Sequence, residues 1–298
     1  MTAVRAFAPA KINLYLHVLG RRADGYHLLD SLIAFADIGD WVTAALADEL
    51  SPDITGPESS ALQSDTGENL VLRAARLLAE TVPGGAPGAA LRLEKALPVA
   101  SGIGGGSSDA AATLRALCEL WQHRPRPEQL AAIALRLGAD TPACLLAQPV
   151  WAGGIGELLE PAAALPGLSI LLVNPRRAVA TPAIFKARQG PFSEPGRFSK
   201  IPQTAAAFAA LLEMRRNDLT GPARRLVPEI AAVVEILAGL PGVLLSRMSG
   251  SGATCFALFE TRAAAATAQA GLARTKPDWW SAAGEIMRTL PLVARSAL

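Results

Sequence analysis

The sequence predicts a two-domain protein of mixed strands and helices, and three observations lead to that expectation. Its 298 residues, 51% of them hydrophobic, are enough for a large core and suit two domains better than one. Segments in which apolar and polar residues alternate, as in strands, are interspersed with segments whose apolar residues recur at helical spacing. The proline-bounded stretch 161–166 has the composition of a linker. We therefore expect one domain at residues 1–160 and a second at residues 161–298.

Composition and charge exclude several classes of partner. The formal net charge of +2 gives no electrostatic support for binding nucleic acid. Cys118, Cys144 and Cys255 lie far apart, with neither a metal-binding spacing nor a disulfide framework, which suits a reducing cytosol. We find no N-terminal signal pattern and no apolar run of about 18 residues. We therefore expect a cytoplasmic protein with no membrane or nucleic-acid partner, and the sequence carries no signal for an oligomeric state.

The first nineteen residues are predicted to be strands, with apolar and polar side chains on opposite faces. The apolar set is Ile12, Leu14, Leu16 and Val18, and the other set is Lys11, Asn13, Tyr15 and His17. Lys11 and Asn13 therefore point the same way, either on a solvated face or into a site.

A hairpin turn is predicted at Asp24-Gly25, and Tyr26 and His27 follow it directly. An aromatic ring and an imidazole at this position either cover the turn or stack on and hydrogen-bond a planar ligand.

The centre of the chain is a glycine-rich loop between a predicted strand, 91–95, and a predicted helix ending near residue 122. Four glycines lie within residues 102–106, and we expect Ser107 or Ser108 to cap the helix. Free N–H groups and the positive end of the helix dipole would then face the loop, which is a site for phosphate. The alternative is a flexible turn before an ordinary helix.

Two well-known phosphate loops are excluded here. No lysine follows the glycines, as the Walker pattern requires, and Ser107 stands where the dinucleotide fingerprint needs its last glycine. The loop therefore favours a nucleotide phosphate that is bound by another route.

Two further helices flank this region. One is predicted over residues 69–80, and the other begins at Pro127 and ends at Gly138. Asp140 follows at once, ahead of Pro142, and is either a helix N-cap or a carboxylate that faces the site, two roles that are compatible. A second glycine-rich segment, 151–157, lacks a following helix and is predicted to be a turn between strands.

The second half alternates strands and helices in the same way. A buried strand at 169–173 precedes a short helix that starts at Thr181 and contains Phe185, and residues 189–202 are predicted to be a mobile loop. The remaining predicted elements are helices at 203–215, 228–238 and 262–274, and strands at 243–247 and 255–259 around a turn of small residues, 248–254.

Together these blocks resemble the GHMP kinases, small-molecule kinases named for galactose, homoserine, mevalonate and phosphomevalonate. The resemblance spans residues 9 to 252, and the combination of blocks in this order is highly specific. The blocks are Pro-Ala-Lys-Ile-Asn-Leu from Pro9, Asp-Gly-Tyr-His from Asp24, the glycine-rich segment 98–111, Gly138-Ala139-Asp140-x-Pro142, Thr181-Pro182-x-x-x-Phe185 and Met248-Ser249-Gly250-Ser251-Gly252.

The resemblance implies an α+β fold and a phosphotransferase activity. It implies an N-terminal domain like domain 2 of ribosomal protein S5 that holds ATP, and a ferredoxin-like C-terminal domain that completes the substrate cleft. The reaction would move the γ-phosphate of ATP to a hydroxyl group of a small molecule, with Mg²⁺ neutralising the phosphates. Within the family, the motifs are most similar to those of members whose acceptor carries a cytidine diphosphate.

The resemblance also implies roles for individual residues. Asp140 would be the general base and Lys11 would stabilise charge on the hydroxyl oxygen or the phosphate. The implied substrate-binding residues are Asn13, Tyr26, His27, Thr181 and Phe185, with Tyr26 and Phe185 on either side of the cytosine. The implied ATP-binding residues are Asn69, Lys95, Pro98, Val99, Ala100, Ser101, Gly102, Ile103, Gly104, Gly105, Gly106, Ser107 and Ser108. The sequence shows no dedicated cluster of acidic residues for magnesium, so ATP itself and a loop serine would hold the ion.

Two departures from the family pattern are small. Ile103 stands where leucine is more usual, and the third block begins with Met248-Ser249. Two other hypotheses remain open at this point. One is a GHMP kinase that acts on homoserine or a mevalonate derivative, and the other is a regulator that binds nucleotide without catalysis.

Overall fold

The computed structural model describes residues 2–63, 69–288 and 293–297, which form two β-sheets flanked by helices. Along the chain the elements are β1 (Thr2–Arg21), β2 (His27–Ala47), β3 (Ser51–Thr55), α1 (Ser59–Gln63), α2 (Leu70–Ala79), β4 (Gly88–Glu94), α3 (Gly105–Leu120), α4 (Pro127–Leu137), α5 (Thr141–Leu146), β5 (Val150–Gly153), β6 (Leu158–Pro161), β7 (Ser169–Asn174), α6 (Thr181–Ala187), α7 (Ala205–Glu213), α8 (Thr220–Leu226), α9 (Glu229–Ala238), β8 (Leu245–Met248), β9 (Cys255–Phe259), α10 (Arg262–Thr275), β10 (Trp280–Glu285) and β11 (Ala294–Ala297).

The larger sheet is organised around the long antiparallel pair β1–β2. Its strand order is β11-β1-β2-β4-β3, with β5 also paired to β2 and β6 to β5. The pairing of β1 with β2 runs from Ala3 opposite Ala45 to Arg21 opposite His27. Both strands are therefore much longer than the roughly 3–10 residues that are usual for a strand in a globular protein. One face of this sheet packs against α2, α3 and α4 through residues such as Leu78, Leu117 and Ile133. These helices therefore place the start of α3 beside β1.

Irregular pairing along β1 changes the face that its apolar residues use. The register with β2 shifts between Pro9 and Ala10, between Asn13 and Tyr15, and between Val18 and Gly20. Ile12 and Leu14 pack between the two sheets, whereas Leu16 and Val18 join the core of the second sheet. The expectation that these four apolar residues share one face of the sheet is therefore wrong. The β-bulge between Asn13 and Tyr15 reverses the faces to which the side chains after it point.

The smaller sheet has the order β10-β7-β9-β8, and all of its pairs are antiparallel. Leu172 and Phe256 on one face meet Ile12 of the larger sheet and Phe208 of α7 in a shared core. The other face is covered by α9 and α10, with Ile230 and Leu272 fully or nearly buried. The molecule is therefore layered as helices, sheet, sheet and helices, and the mixed helix-and-sheet content expected of the fold class is confirmed.

Most predicted elements are present within a few residues of their expected bounds. Residues 189–202 contain neither helix nor strand, as expected, although backbone hydrogen bonds from Ser193 to Val18 and from Gly196 to the Asp30 carboxylate attach this segment to the core. The boundary at residue 160 stays a prediction, and β11 from the far end of the chain pairs with β1. Among the described residues, no helix is both long and apolar enough to cross a membrane.

The core between the two sheets yields a stability prediction. We expect Phe208→Ala to lower the free energy of unfolding by about 3–5 kcal/mol, because Phe208 is fully buried and truncation leaves a cavity. Met214→Ala, at the exposed end of the same helix, is the matched control and should change stability little. Urea unfolding followed by circular dichroism measures both, and equal midpoints for the two variants would contradict this packing.

Candidate active site

A cavity of about 480 Å³ lies between the glycine-rich loop, β1, the start of α5 and the turn after β8. Most of the predicted site residues line it. Those that do are Lys11, Asn13, Asn69, Lys95, Pro98, Val99, Ala100, Ser101, Gly102, Gly104, Gly105, Gly106, Ser107, Asp140, Thr181 and Phe185. Tyr26, His27, Ile103 and Ser108 are not among the residues that line it. The loop is thus brought together with the two predicted catalytic residues in one concave site.

The glycine-rich loop ends at the N-terminus of α3. Gly104 is the N-cap, and its positive φ of 65° is one that glycine adopts without strain. The first intrahelical bond runs from the Ser108 N–H to the Gly104 carbonyl, so the N–H groups of Gly105, Gly106 and Ser107 precede the helical ladder. These groups and the helix dipole make this end of the cavity suited to an anion.

The prediction that Ser107 or Ser108 caps this helix is wrong. The helix begins earlier, because Gly105 and Gly106 are themselves helical. Both serines therefore lie inside the first turns, and the Ser108 hydroxyl donates instead to the Pro9 carbonyl at 2.6 Å.

Backbone contacts from both sheets fix the loop. The Lys11 N–H donates to the Ile103 carbonyl at 2.9 Å, and the Thr254 N–H donates to the Ser101 carbonyl at 3.0 Å. Gly102 lies so close to Gly252 that a β-carbon would collide with the backbone there. The loop is therefore held between β1 and the turn after β8, which a flexible turn with no contacts of its own would not be.

Lys11 and Asp140 form the charged centre of the cavity. The Lys11 Nζ lies 2.8 Å from the Asp140 Oδ1 and 3.1 Å from the Asn13 Oδ1. Its side chain is 5% exposed, whereas that of Asp140 is 47% exposed and reachable by a ligand. Asp140 occupies the N-cap position of α5, as predicted, but its side chain makes no capping hydrogen bond. Its carboxylate is thus committed to Lys11 and to the cavity.

Two hydroxyl-bearing residues complete the wall near this pair. The Thr181 Oγ1 is 2.8 Å from the Ser251 Oγ, which joins the start of α6 to the turn after β8. Ser31 of β2 also lines the cavity and accepts from the Asn13 amide at 2.8 Å. Sequence reasoning did not find Ser31, because a serine in a β-strand carries no distinctive pattern.

An aromatic pair lies close to the cavity. The rings of His27 and Phe185 are stacked, with centroids 5.0 Å apart and planes 26° apart. Burial, followed by the charges of Arg21 and Arg188, lowers the pKa of His27, so the imidazole is neutral at pH 7. Tyr26 is 60% exposed, and the stack is formed by His27 and Phe185 without it. The placing of cytosine between Tyr26 and Phe185 stays a prediction, and it requires His27 to leave one face of Phe185 accessible.

Lys95 lies beneath the start of α3 and is fully buried. Its Nζ is 2.5 Å from the Asp40 Oδ2 and 2.7 Å from the Asp109 Oδ2. Burial works to lower the pKa of Lys95, but the carboxylates of Asp109 and Asp40 outweigh it and raise that pKa. Burial raises the pKa of Asp109, and Lys95 offsets only part of that rise. The predicted contact between Lys95 and adenine is not tested, and Asp40 and Asp109 are partners that sequence reasoning missed.

Asn69, the N-cap of α2, also lines the cavity. Its Oδ1 accepts from the Val71 N–H at 2.8 Å, which leaves the amide N–H₂ available to a ligand in the cavity. Its predicted role near adenine also stays a prediction.

Comparison with known proteins agrees with this geometry. A family model described as the N-terminal domain of GHMP kinases matches residues 69–148, and one described as the C-terminal domain matches residues 201–278. A protein of Paramagnetospirillum magneticum named 4-diphosphocytidyl-2-C-methyl-D-erythritol kinase is 50% identical over 96% of this chain and 100% of its own length.

Solved structures give the same result. A crystal structure of 4-(cytidine 5'-diphospho)-2C-methyl-D-erythritol kinase is 35% identical, covers 95% of this chain and 98% of its own, and has a TM-score of 0.76. A homoserine kinase from Cytophaga hutchinsonii shares the fold at 18% identity, with a TM-score of 0.71 over 98% of this chain and 97% of its own. The chain belongs to the GHMP kinase family.

Proposed function

We propose that the protein transfers the γ-phosphate of ATP to the 2-hydroxyl of 4-diphosphocytidyl-2-C-methyl-D-erythritol, a step of the non-mevalonate route to isoprenoid precursors. The observation that carries the proposal is the Lys11–Asp140 pair, which lies in one cavity with the N-terminus of α3. The names of a relative and of a solved structure similar to this chain support the choice of acceptor.

The glycine-rich loop would bind the ATP phosphates. The N–H groups at residues 105–107 point out of the helix start, and glycine leaves room for phosphate oxygens to approach the backbone. The hydrogen bond from the Lys11 N–H to the Ile103 carbonyl supports this role, because it would hold bound phosphates close to β1 and to Lys11. Asn69 and Lys95 would lie on the adenine side.

Asp140 would act as the general base toward the acceptor hydroxyl, and Lys11 would stabilise negative charge on that oxygen or on the transferring phosphate. A tertiary alcohol is a weak acid and phosphoryl transfer is largely loose, so orientation and charge stabilisation contribute more than early deprotonation. Lys11 donates to Asp140 and Asn13, and a third N–H remains for the ligand.

The acceptor would be recognised through its base. Phe185 offers a ring beside the cavity, and the neutral His27 can hydrogen-bond the polar edge of cytosine. Asn13 and Thr181 are placed to contact the acceptor. Homoserine and mevalonate have no base to stack, so this aromatic pair favours the cytidyl acceptor over the other family substrates.

Magnesium would enter with ATP. In residues 2–63, 69–288 and 293–297 no group of three or more His, Cys, Asp or Glu side chains could hold a metal ion. Mg²⁺ is commonly held by substrate phosphates, waters and one or two protein oxygens, and the Ser107 hydroxyl at the loop is suited to supply one. The ion would neutralise phosphate charge. A cytosolic location remains a prediction.

The experiment that tests the function is a coupled assay of ADP release with ATP, Mg²⁺ and four acceptors: the cytidyl compound, homoserine, mevalonate and phosphomevalonate. Turnover is expected with the cytidyl compound alone. Turnover with another acceptor would retain the kinase and overturn the assignment of the acceptor, whereas ATP binding without any turnover would favour a regulator.

Asp140→Asn should lower kcat by about 10²–10⁴-fold, the usual contribution of a general base, and should leave the Kd for ATP nearly unchanged. The matched control is Asp53→Asn on β3, which removes an exposed ion pair with Arg92 of β4. Steady-state kinetics and calorimetric titration with ATP measure both quantities. Normal turnover by Asp140→Asn would refute the role of Asp140 as the base.

Phe185→Ala should raise the KM for the cytidyl acceptor by about 5- to 150-fold, because base stacking contributes about 1–3 kcal/mol. The KM for ATP should change little. Leu46→Ala, which truncates an exposed apolar residue at the far end of β2, is the control. An equal rise in both KM values for Phe185→Ala would show that the ring does not recognise the base.

A further inference from the structure

We propose that Ser31 is a positioning residue: its hydroxyl fixes the orientation of the Asn13 amide so that the amide oxygen faces the Lys11 ammonium. The kinetic part of this inference rests on the proposed function. The geometry on which it stands does not, because it involves only the hydrogen bonds among Asn13, Ser31, Tyr15 and Lys11.

The direction of each hydrogen bond follows from chemistry. The Ser31 Oγ lies 2.5 Å from the Tyr15 carbonyl oxygen, which can only accept, so the single hydroxyl proton of Ser31 is committed to that bond. The Ser31 oxygen must then act as the acceptor toward Asn13 at 2.8 Å. Only the N–H₂ end of the Asn13 amide can donate, so its oxygen is directed to the other side.

That other side holds the Lys11 ammonium. The Asn13 Oδ1 lies 3.1 Å from the Lys11 Nζ, and the Asp140 Oδ1 lies 2.8 Å from the same nitrogen. Lysine has three donors and no acceptor, so it needs oxygen atoms around it. Asn13 and Asp140 therefore accept hydrogen bonds from two of the three N–H groups of Lys11. The third N–H group is left for a ligand in the cavity.

A reversed amide would place N–H₂ donors against the ammonium. Asn13 is 4% exposed and Ser31 is 2% exposed, so solvent has little access to compensate. The Lys11 ammonium would lose one of its two partners and with it a defined position. The Ser31 hydroxyl thus acts on the reacting groups through Asn13, without touching them.

The backbone explains why this hydroxyl is in place. The register between β1 and β2 shifts between Asn13, which is opposite Ile33, and Tyr15, which is opposite Leu32. This shift is a β-bulge, in which β1 has one residue more than β2 between the two pairs. Bulges next to active sites commonly change the direction of a side chain. Here the Tyr15 carbonyl and the Asn13 side chain both reach the hydroxyl of one residue, Ser31.

The alternative is that Ser31 is only a small residue in the cavity wall. Three variants separate the two interpretations: Ser31→Ala removes the hydroxyl, Ser31→Thr keeps it, and Asn13→Ala removes the group through which it acts. We expect Ser31→Ala to lower kcat about tenfold, the effect of about one hydrogen bond, with little change in the KM for ATP. Ser31→Thr should recover most of that loss.

The double variant gives the sharpest kinetic readout. If Ser31 acts through Asn13, then Ser31→Ala in an Asn13→Ala background should cause no further loss of kcat. Additive losses, a wild-type kcat for Ser31→Ala, or a Ser31→Thr variant as impaired as Ser31→Ala would each overturn the proposal. The assay uses whichever acceptor the wild-type protein phosphorylates, so failure of the cytidyl assignment is a separate result.

A second readout does not need turnover. In protein labelled with ¹⁵N at asparagine, the side-chain N–H₂ signal of Asn13 is identified by its loss in Asn13→Asp. We expect this signal to exchange slowly with solvent in the wild type and in Ser31→Thr, and to lose protection in Ser31→Ala. Unchanged protection in a folded Ser31→Ala variant would refute the proposal. If Ser31→Ala does not fold, Ser31→Cys, which retains the side-chain volume but only a weak acceptor, replaces it with the same expectation.

Discussion

The buried ammonium of Lys11 is the constraint on which the site depends. A charge removed from water is costly unless it is paired and hydrogen-bonded, and the Lys11 side chain is almost entirely enclosed. The fold therefore brings Asp140, 129 residues away in sequence, to within 2.8 Å of it. The same strand donates from its backbone to Ile103, so the charge and the glycine-rich loop share one support. The Lys11 charge and the glycine-rich loop are therefore held in place by the same strand.

The second sheet contributes to the site through backbone contacts with the glycine-rich loop, and not through charged side chains. Its turn after β8 approaches the glycine-rich loop so closely that a β-carbon at Gly102 or at Gly250 would collide with the facing backbone. Asn217 stabilises that turn with two hydrogen bonds, to the carbonyls of Met248 and Gly250. The core shared by the two sheets, which includes Phe208 and Phe256, holds the sheets together and with them the loop and the turn.

Much of this arrangement could be predicted from the sequence. Helical periodicity located α2 and α4, and the order of the motifs brought Lys11, Asp140 and the loop together before any geometry was known. Sequence could not place the start of α3, because glycine is a poor helix former and was interpreted as loop. It also missed the partners of Lys95, since Asp40 lies 55 residues away and long-range ion pairs have no local pattern. The His27–Phe185 stack depends equally on tertiary contact.

The central claim is phosphate transfer to one hydroxyl, and the most direct test is the proton-coupled ³¹P NMR spectrum of the product formed from ATP and the cytidyl acceptor. The 2-hydroxyl is on a tertiary carbon, which bears no hydrogen. Our account predicts a new phosphomonoester signal without three-bond coupling to a proton, formed together with ADP. A signal split by protons would place the phosphate on a different hydroxyl. Inorganic phosphate in place of a phosphomonoester would show ATP hydrolysis without transfer and would contradict the account.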